Sequence, residues 1–184
     1  MKKYILSALI IAGAGFGLLS CNNGDYDANP NADYSNGINP LNPKGGINTN
    51  FDWTGSDPMS AEINGNAWKA DGAFYLVDMF DTTEAYIVGA NFSGDTSGIT
   101  LRMERNVEPN KLYYVNMGNT KNTASYTNAM SDPNDLYAST LANLGAVKIL
   151  ENDATHIKGL FYFLAKSETG IYLNVQKGYF NIDK

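Results

Sequence analysis

The sequence predicts an all-β protein, an antiparallel β-sandwich of roughly eight to ten short strands that follows a signal peptide and a disordered tether. Three observations support this prediction. From Pro58 onward, short runs rich in Val, Ile, Tyr, Phe and Thr are separated by Gly, Asn and Asp, which is the composition of strands joined by turns. The segment before Pro58 is rich in Asn, and the chain begins with a mostly apolar run.

The first twenty residues have the layout of a signal peptide. Lys2 and Lys3 give a positive start, seventeen uncharged residues follow at 4–20, and the run ends in the small residue Ser20. A membrane-spanning helix needs about twenty apolar residues, and this run is shorter and contains three glycines. We therefore expect residues 1–20 to be cleaved, with a permanent membrane span as the alternative.

Cys21 is the only cysteine of the chain and follows that run directly. Residues Leu18 to Cys21 resemble the lipobox of bacterial lipoproteins, in which the cysteine sulfur takes a diacylglyceryl group and the new amino terminus takes a third acyl chain, such as palmitate. Two or more acyl chains anchor a protein stably, so we expect a membrane partner through lipid at Cys21. An ordinary secreted protein with an incidental cysteine is the alternative.

Asp25 and Asp27 lie just behind that cysteine. Acidic residues at this place resemble the signal that directs Bacteroidota lipoproteins to the outer face of the outer membrane. The resemblance favours outer-membrane localisation with display on the cell surface over the periplasmic face.

Residues 21–55 are predicted to form a flexible tether. Nine of the 29 residues at 22–50 are Asn, Pro30, Pro40 and Pro43 are scattered among them, and no period of two or 3.6 is present. Such a segment buries too little apolar surface to offset its chain entropy. The β-sandwich domain is then expected over 56–184.

Within that domain, Asn64-Gly65 predicts a tight hairpin between "MSAEI" and "NAWKA". The runs "GAFYLVDMF", "EAYIVGANF", "GITLRME" and "KLYYVNM" predict the next strands. In the last two predicted strands, alternate residues share a face. These residues are Ile157, Gly159, Phe161, Phe163 and Ala165 in the first, and Ile171, Leu173 and Val175 in the second. Gly178 then interrupts the alternation, as a β-bulge would.

Residues 131–145 allow two interpretations. Asp132 is placed as a helix cap, Pro133 follows in the first turn, and Tyr137, Leu141 and Leu144 have helical spacing before Gly145. The local pattern therefore favours a helix. The alternative is a pair of strands at Leu136 to Thr140 and Ala146 to Glu151.

The segments "AEINGNAWKA", "VEPNKLYYVN", "AVKILENDATHIKGLFYFLA" and "GIYLNVQKGYFNI" together resemble a family of Bacteroidota lipoprotein domains of unknown function, over residues 59–183. The matching positions are Ile63, Asn64, Gly65, Trp68, Tyr113, Ile157, Gly159, Phe161, Phe163, Gly178 and Phe180. The resemblance implies an antiparallel β-sandwich, brings no catalytic residues, and favours the two strands over the helix. It also implies that Trp68 belongs to the core. Leu160 and Tyr162 depart from the family, which has small polar residues there.

The residues that usually carry catalysis or bind metals are scarce. His156 is the only histidine and lies in a predicted turn, so zinc sites and Cys or His relays are not expected. The formal net charge of −6 argues against a nucleic-acid partner. Neither acidic segment has the pattern of a calcium-binding EF-hand loop, and we expect no metal and no cofactor.

Two carboxylate clusters remain as candidates for hydrolysis of glycans. They are Asp78, Asp81 and Glu84 in "DMFDTTE", and Asp132 and Asp135 in "SDPND". A pair held across a cleft could act as acid and base, but carboxylates in turns usually cap backbone N–H groups. We therefore expect that the protein is not an enzyme, with a carboxylate-dependent hydrolase as the alternative.

Two surfaces are singled out. Asp81-Thr82-Thr83 resembles the acceptor sequence for O-glycosylation of exported proteins in Bacteroides and its relatives, which makes Thr82 and Thr83 candidate modification sites. If Phe161 and Phe163 point into the core, the residues between them form an outward apolar patch, a usual mark of a partner site. Its predicted members are Leu160, Tyr162, Leu164, Tyr172 and Tyr179. The alternatives are that this strand is covered on both sides or that the tether folds over it.

These observations favour a non-catalytic binding or interaction module, displayed on a lipid anchor at the outer membrane, that captures a glycan or protein partner. The carboxylate-dependent hydrolase and a structural subunit of a surface assembly are the alternatives.

Overall fold

The structure is a computed structural model that describes residues 41–42, 46–47, 51–93, 96–115, 121–129, 135–139 and 145–184. The signal peptide, Cys21, Asp25, Asp27 and Asp132 lie outside the described residues. Within these ranges no helix is long and apolar enough to cross a membrane.

The described chain is built from thirteen strands. Two short strands, β1 (Leu41–Asn42) and β2 (Gly46–Ile47), pair only with each other. The other eleven form one sheet: β3 (Met59–Ile63), β4 (Asn66–Lys69), β5 (Gly72–Val77), β6 (Glu84–Asn91), β7 (Ser97–Glu104), β8 (Leu112–Tyr114), β9 (Thr123–Thr127), β10 (Leu136–Ser139), β11 (Gly145–Asn152), β12 (His156–Ser167) and β13 (Tyr172–Asp183). The prediction of an all-β fold is confirmed. β10 and β11 also confirm the strand interpretation of that region over the helix.

All pairings in the large sheet are antiparallel, in the order β4-β3-β13-β12-β10-β9-β7-β6-β5. β12 is long enough to pair with β11 through its first half and with β10 through its last residues. β8 lies beyond β11 as a further edge strand. The chain passes from β4 to β5 at Ala70 and Asp71, whose N–H groups donate to the carbonyls of Met59 and Ala90. The sheet therefore curls over a shared interior, as a sandwich does.

The interior is apolar. Met59 of β3 reaches across it to Gly89 of β6, where its sulfur occupies the space that a Cβ would take. Trp68 is buried as the family resemblance implies, and its indole Nε1 donates to Ser97 Oγ at 2.9 Å, so its one polar group is satisfied. The largest fully buried side chains are Tyr162, Phe161, Phe163, Phe180, Met59, Ile87, Ile99, Leu101, Met103, Ile149, Ile157 and Val88.

The Asn64-Gly65 hairpin is present as predicted. Both residues have positive φ, 49° and 82°, which is the requirement of a tight two-residue turn. Asn64 also ties the hairpin to β13, because its side-chain oxygen accepts the N–H of Asn174 at 2.8 Å and its own N–H donates to the carbonyl of Asn174.

Reciprocal glycine–phenylalanine pairs connect β12 and β13. Gly159 is paired with Phe180, and Phe161 with Gly178. A Cβ on Gly159 would lie 2.5 Å from Cζ of Phe180, and a Cβ on Gly178 would overlap the ring of Phe161. Each ring therefore covers the bare backbone of the glycine opposite it, a known way of protecting glycine within a sheet.

The bulge predicted near Gly178 is present. Register shifts fall between Phe161 and Phe163 on β12 and between Gln176 and Tyr179 on β13, and Lys177 has a φ of 49°. The pair of β1 and β2 lies within residues 21–55, which were predicted to be a flexible tether, and was not predicted. Two features of the large sheet were not predicted either. β9 was not predicted because its sequence, "TASYT", is polar at three of its five positions. Ile171, expected to share a face with Leu173 and Val175, lies before β13 and is exposed, whereas those two are buried.

Replacing Gly178 with Ala should lower the free energy of unfolding by about 1–3 kcal/mol, because the added methyl group forces the ring of Phe161 out of its packed position. The matched control is Gly72→Ala in β5, where a Cβ would make only an ordinary contact, 3.6 Å from Phe74. Chemical denaturation of the full chain measures both. Equal stability of the two variants would contradict this account of the Gly–Phe pairs.

Candidate functional site

Three residues of the predicted outward apolar patch are not exposed. Leu160, Tyr162 and Leu164 are only 4%, 2% and 5% exposed. The prediction of an open face is therefore wrong for them. Part of the reason is that residues 51–58, which we name the strap, lie over this side of β12 and β13.

The strap begins with two aromatic residues. The ring of Phe51 lies 5.7 Å from that of Tyr162 and 5.0 Å from that of Trp53, and Trp53 Nε1 donates to the carbonyl of Gly178 at 2.9 Å. Residues 51–55 were assigned to the tether, and this assignment misses their contacts with the sheet. Folding of the tether over the strand was the alternative, and for residues 51–55 it is what the structure has.

The strap ends at a hydrogen-bonded carboxylate. Asp57 Oδ1 accepts from Tyr179 Oη and from Asn181 Nδ2, both at 2.9 Å. These bonds, that from Asn181 first, hold the pKa of Asp57 below its usual value, while burial and the Asp57 contact raise the pKa of Tyr179 to about 12. Tyr179 is half-buried, and its hydroxyl is hydrogen-bonded to Asp57. Tyr172 alone among the five predicted residues is exposed, with Lys166 Nζ 5.2 Å from its ring centre.

The first carboxylate cluster shapes the turn between β5 and β6. Asp78 Oδ1 accepts the N–H groups of Phe80 and Asp81 at 2.7 and 3.0 Å, and Oδ2 accepts Tyr86 Oη at 2.8 Å. These bonds lower the pKa of Asp78, and bonds from Thr83 lower that of Asp81. A catalytic acid needs a raised pKa, so both carboxylates are suited to holding the turn and unsuited to donating a proton.

Glu84, the third member, is buried and paired with Arg102, whose Nε donates to its Oε2 at 2.6 Å. In the second cluster, Asp135 is described but its predicted partner is not. His156 opens β12 between Glu151 and Asp183, 3.8 Å from each carboxylate. Within the described ranges, no three His, Cys, Asp or Glu side chains are grouped so that they could hold a metal ion.

A pocket of about 490 Å³ lies at the end of the sheet where β5, β7 and β13 finish. We name it the basic pocket, because its lining includes Arg105 and Lys184. β5 contributes Tyr75 and Val77, the segment after β7 contributes Arg105 and Asn106, the turn between β11 and β12 contributes Asn152, Asp153 and Ala154, and Lys184 follows β13.

Lys184 is fixed at the wall of the pocket. Its Nζ donates to Asn152 Oδ1 and, at 2.6 Å, to the carbonyl of Asp153, and it lies 5.2 Å from the ring centre of Tyr75. Burial lowers the pKa of Lys184; the charge of Asp153 raises it and that of Arg105 lowers it further. The ammonium group is thus held by neutral oxygens and a ring.

Three other groups in the pocket have their hydrogen-bonding capacity open. Arg105 is positioned by its backbone N–H, which donates to the carbonyl of Thr83 at 2.7 Å. In the described part of the chain, its guanidinium, the amide of Asn106 and the hydroxyl of Tyr75 form no hydrogen bond or ion pair. The pocket carboxylate, Asp153, is already engaged, since it accepts the N–H and Oγ1 of Thr155, which lowers its pKa.

An apolar tip adjoins the pocket. Val77 lines it, and Met79 and Phe80, in the turn that Asp78 holds, are 73% and 97% exposed. Thr82 and Thr83 are in the same exposed turn. Thr83 Oγ1 donates to Asp81 Oδ1 at 2.6 Å.

Sequence reasoning did not predict the basic pocket. Its members come from four separate stretches of the chain, and no motif joins Arg105 to Lys184. The one available signal was "MF" at a predicted turn, because two large apolar residues at a turn tip are unusual for a solvent-exposed loop.

A search of curated proteins and a search of solved structures each found no match. A family model described as a domain of unknown function, DUF6252, matches residues 56–182. The match covers more than half of the chain and spans the large sheet from β3 to all but the last residue of β13. The chain therefore belongs to the DUF6252 family of domains of unknown function.

Proposed function

We propose that this protein is a lipid-anchored lipoprotein of the bacterial cell envelope whose domain is a non-catalytic binding module, displayed at the outer membrane, that captures a glycan. The observation that carries the proposal is the basic pocket, which offers a guanidinium, an amide and a hydroxyl without partners among the described residues. Arg105 and Asn106 are exposed and Tyr75 is half-buried, so all three groups are open to a polar ligand.

The anchor rests on the sequence. The order of positive start, uncharged run, small Ser20 and Cys21 is that of a lipoprotein signal. An Asn-rich segment between Cys21 and the strap would hold the domain away from the lipid surface. Asp25 and Asp27 favour the cell surface of a Bacteroidota cell.

The absence of catalysis is proposed from the state of the carboxylates. Asp78 and Asp81 have lowered pKa values, and Glu84 is paired with Arg102. A glycosidase of the common kind needs one carboxyl group that stays protonated near neutral pH, opposite a second one. Asp78 and Asp81 hold a turn, and Glu84 connects β6 to Arg102 of β7.

The anchor predicts that growing cells incorporate labelled palmitate into the protein and that Cys21→Ala abolishes the label, because only the thiol accepts the diacylglyceryl group. Asn22→Ala, one residue later, should keep it. The measurement is fluorography of the immunoprecipitated protein. Proteinase treatment of intact cells should then remove the wild-type domain if it faces outward; label retained in Cys21→Ala would overturn the anchor.

The binding role predicts that the full chain, purified in detergent, is retained on at least one immobilised envelope polysaccharide in a panel of acidic and neutral members, without releasing reducing ends. Asp78→Asn should bind equally, because Asp78 is assigned to the turn. If the wild type releases reducing ends from a polysaccharide and Asp78→Asn does not, the protein is a hydrolase. If no polysaccharide of the panel retains the protein, glycan capture is contradicted.

The exposed turn predicts O-glycosylation at Thr82. The Thr82 hydroxyl has no hydrogen bond within the described residues, whereas that of Thr83 is bound to Asp81. Peptide mass spectrometry of protein from the native organism should find a glycan on Thr82, and Thr82→Val should remove it while Thr83→Val leaves it in place. Unmodified peptides covering both residues would rule the site out.

A further inference from the structure

Ten lysines and arginines lie in the described part of the chain. Five of them, Arg102, Lys111, Lys121, Lys158 and Lys177, each lie within ion-pair distance of a glutamate. Arg105 and Lys184 are not among these five, although the chain carries an excess of acidic residues and a formal net charge of −6. In an acidic protein, two cations placed together without a bridging carboxylate form a local positive site.

The two cations lie in one concavity. Both line the basic pocket, and each is close enough to the other for the charge of Arg105 to act on Lys184. Asp153 offsets part of the charge of Lys184, and the hydrogen bonds from Thr155 lower the pKa of Asp153 and keep it ionised. The lining thus has two cations and one carboxylate. Since like charges repel, an anion between them would relieve a cost that the protein alone leaves in place.

The geometry of the hydrogen-bond donors restricts the chemical class of the ligand. A guanidinium presents a planar fork that matches a carboxylate with two parallel hydrogen bonds. Beside it, the amide of Asn106 and the hydroxyl of Tyr75 suit the hydroxyl groups of a sugar ring. A pocket of about 490 Å³ is of the size that holds a small ligand.

We infer that the basic pocket binds the carboxylate of an acidic sugar residue, with Arg105 as its principal partner and Lys184 as the second cation. The inference rests on the proposed glycan-binding function and specifies its ligand. Tyr75 and Asn106 contact the sugar hydroxyls, and the apolar tip at Met79 and Phe80 borders the ligand as it leaves the pocket.

The test compares two probes of equal length, trigalacturonate and the neutral galactotriose, by calorimetric titration of the full chain in detergent. Trigalacturonate should bind and galactotriose should bind at least about tenfold more weakly, since a charge-assisted pair is lost. Raising the ionic strength from about 0.05 M to about 0.5 M should weaken the acidic probe only.

The variants assign the site. Arg105→Gln should weaken trigalacturonate binding about tenfold or more, and Tyr75→Phe, which removes a single hydroxyl, should weaken it by a smaller factor. Lys69→Gln is the matched control, because it removes one exposed positive charge from β4, outside the pocket, and should leave binding unchanged. Thermal melting of each variant confirms folding.

Several outcomes would overturn the inference. Equal affinity for the two probes would show that the pocket does not recognise a carboxylate, and so would an unchanged affinity in both Arg105→Gln and Tyr75→Phe. Retention of the protein on a neutral polysaccharide would then still support the proposed binding module. Displacement of trigalacturonate by equimolar inorganic sulfate would assign the site to small oxyanions rather than acidic sugars. Retention on no polysaccharide at all would remove the proposed function together with this inference.

Discussion

The fold depends on the exchange of glycine and phenylalanine between β12 and β13. These are the two longest strands, and the rest of the large sheet is assembled on their outer edges. Because Phe180 covers Gly159 and Phe161 covers Gly178, neither strand can shift along the other without driving a ring into a side chain. A one-residue slip would also turn every side chain to the opposite face. Shape and polarity therefore specify the same register.

The bulge that follows from this register also explains the strap. Residues 177 and 178 have no partner on β3, because pairing passes from Gln176 directly to Tyr179. The carbonyl of Gly178 is then available at the surface of the sheet, and an unpaired carbonyl near a buried face needs a donor. Trp53 supplies it through Nε1 at 2.9 Å, while its ring and that of Phe51 cover the apolar surface around Tyr162. One irregularity in β13 thus fixes the chain before the first strand of the sheet.

Much of the fold was predictable because strand alternation and turn chemistry act over short distances. The Asn64-Gly65 hairpin, the bulge near Gly178 and the inward phenylalanines were each predicted from residues within a few positions of one another. The strap was not, since Trp53 and Gly178 are 125 positions apart and Phe51 follows a polar, Asn-rich segment. The basic pocket was not predicted from the sequence for the same physical reason. Its residues come from β5, from two turns and from the residue after β13, and they gather only after the sheet has curled.

The polar groups predicted to be functional and those that line the basic pocket differ in whether they have partners within the protein. Leu160, Tyr162 and Leu164, which were predicted to form a recognition surface, are buried. Of the carboxylates considered for catalysis, Asp78 and Asp81 accept hydrogen bonds within a turn and Glu84 is paired with Arg102. What is left open within the described residues is a concavity whose cations have no carboxylate bridge and whose amide and hydroxyl have no partner. Arg105 and Asn106 are exposed and Tyr75 is half-buried, so a ligand would exchange their bonds to water for hydrogen bonds to its own acceptors. This open polar pocket beside an apolar tip is the feature on which the proposed recognition of an acceptor-rich molecule depends.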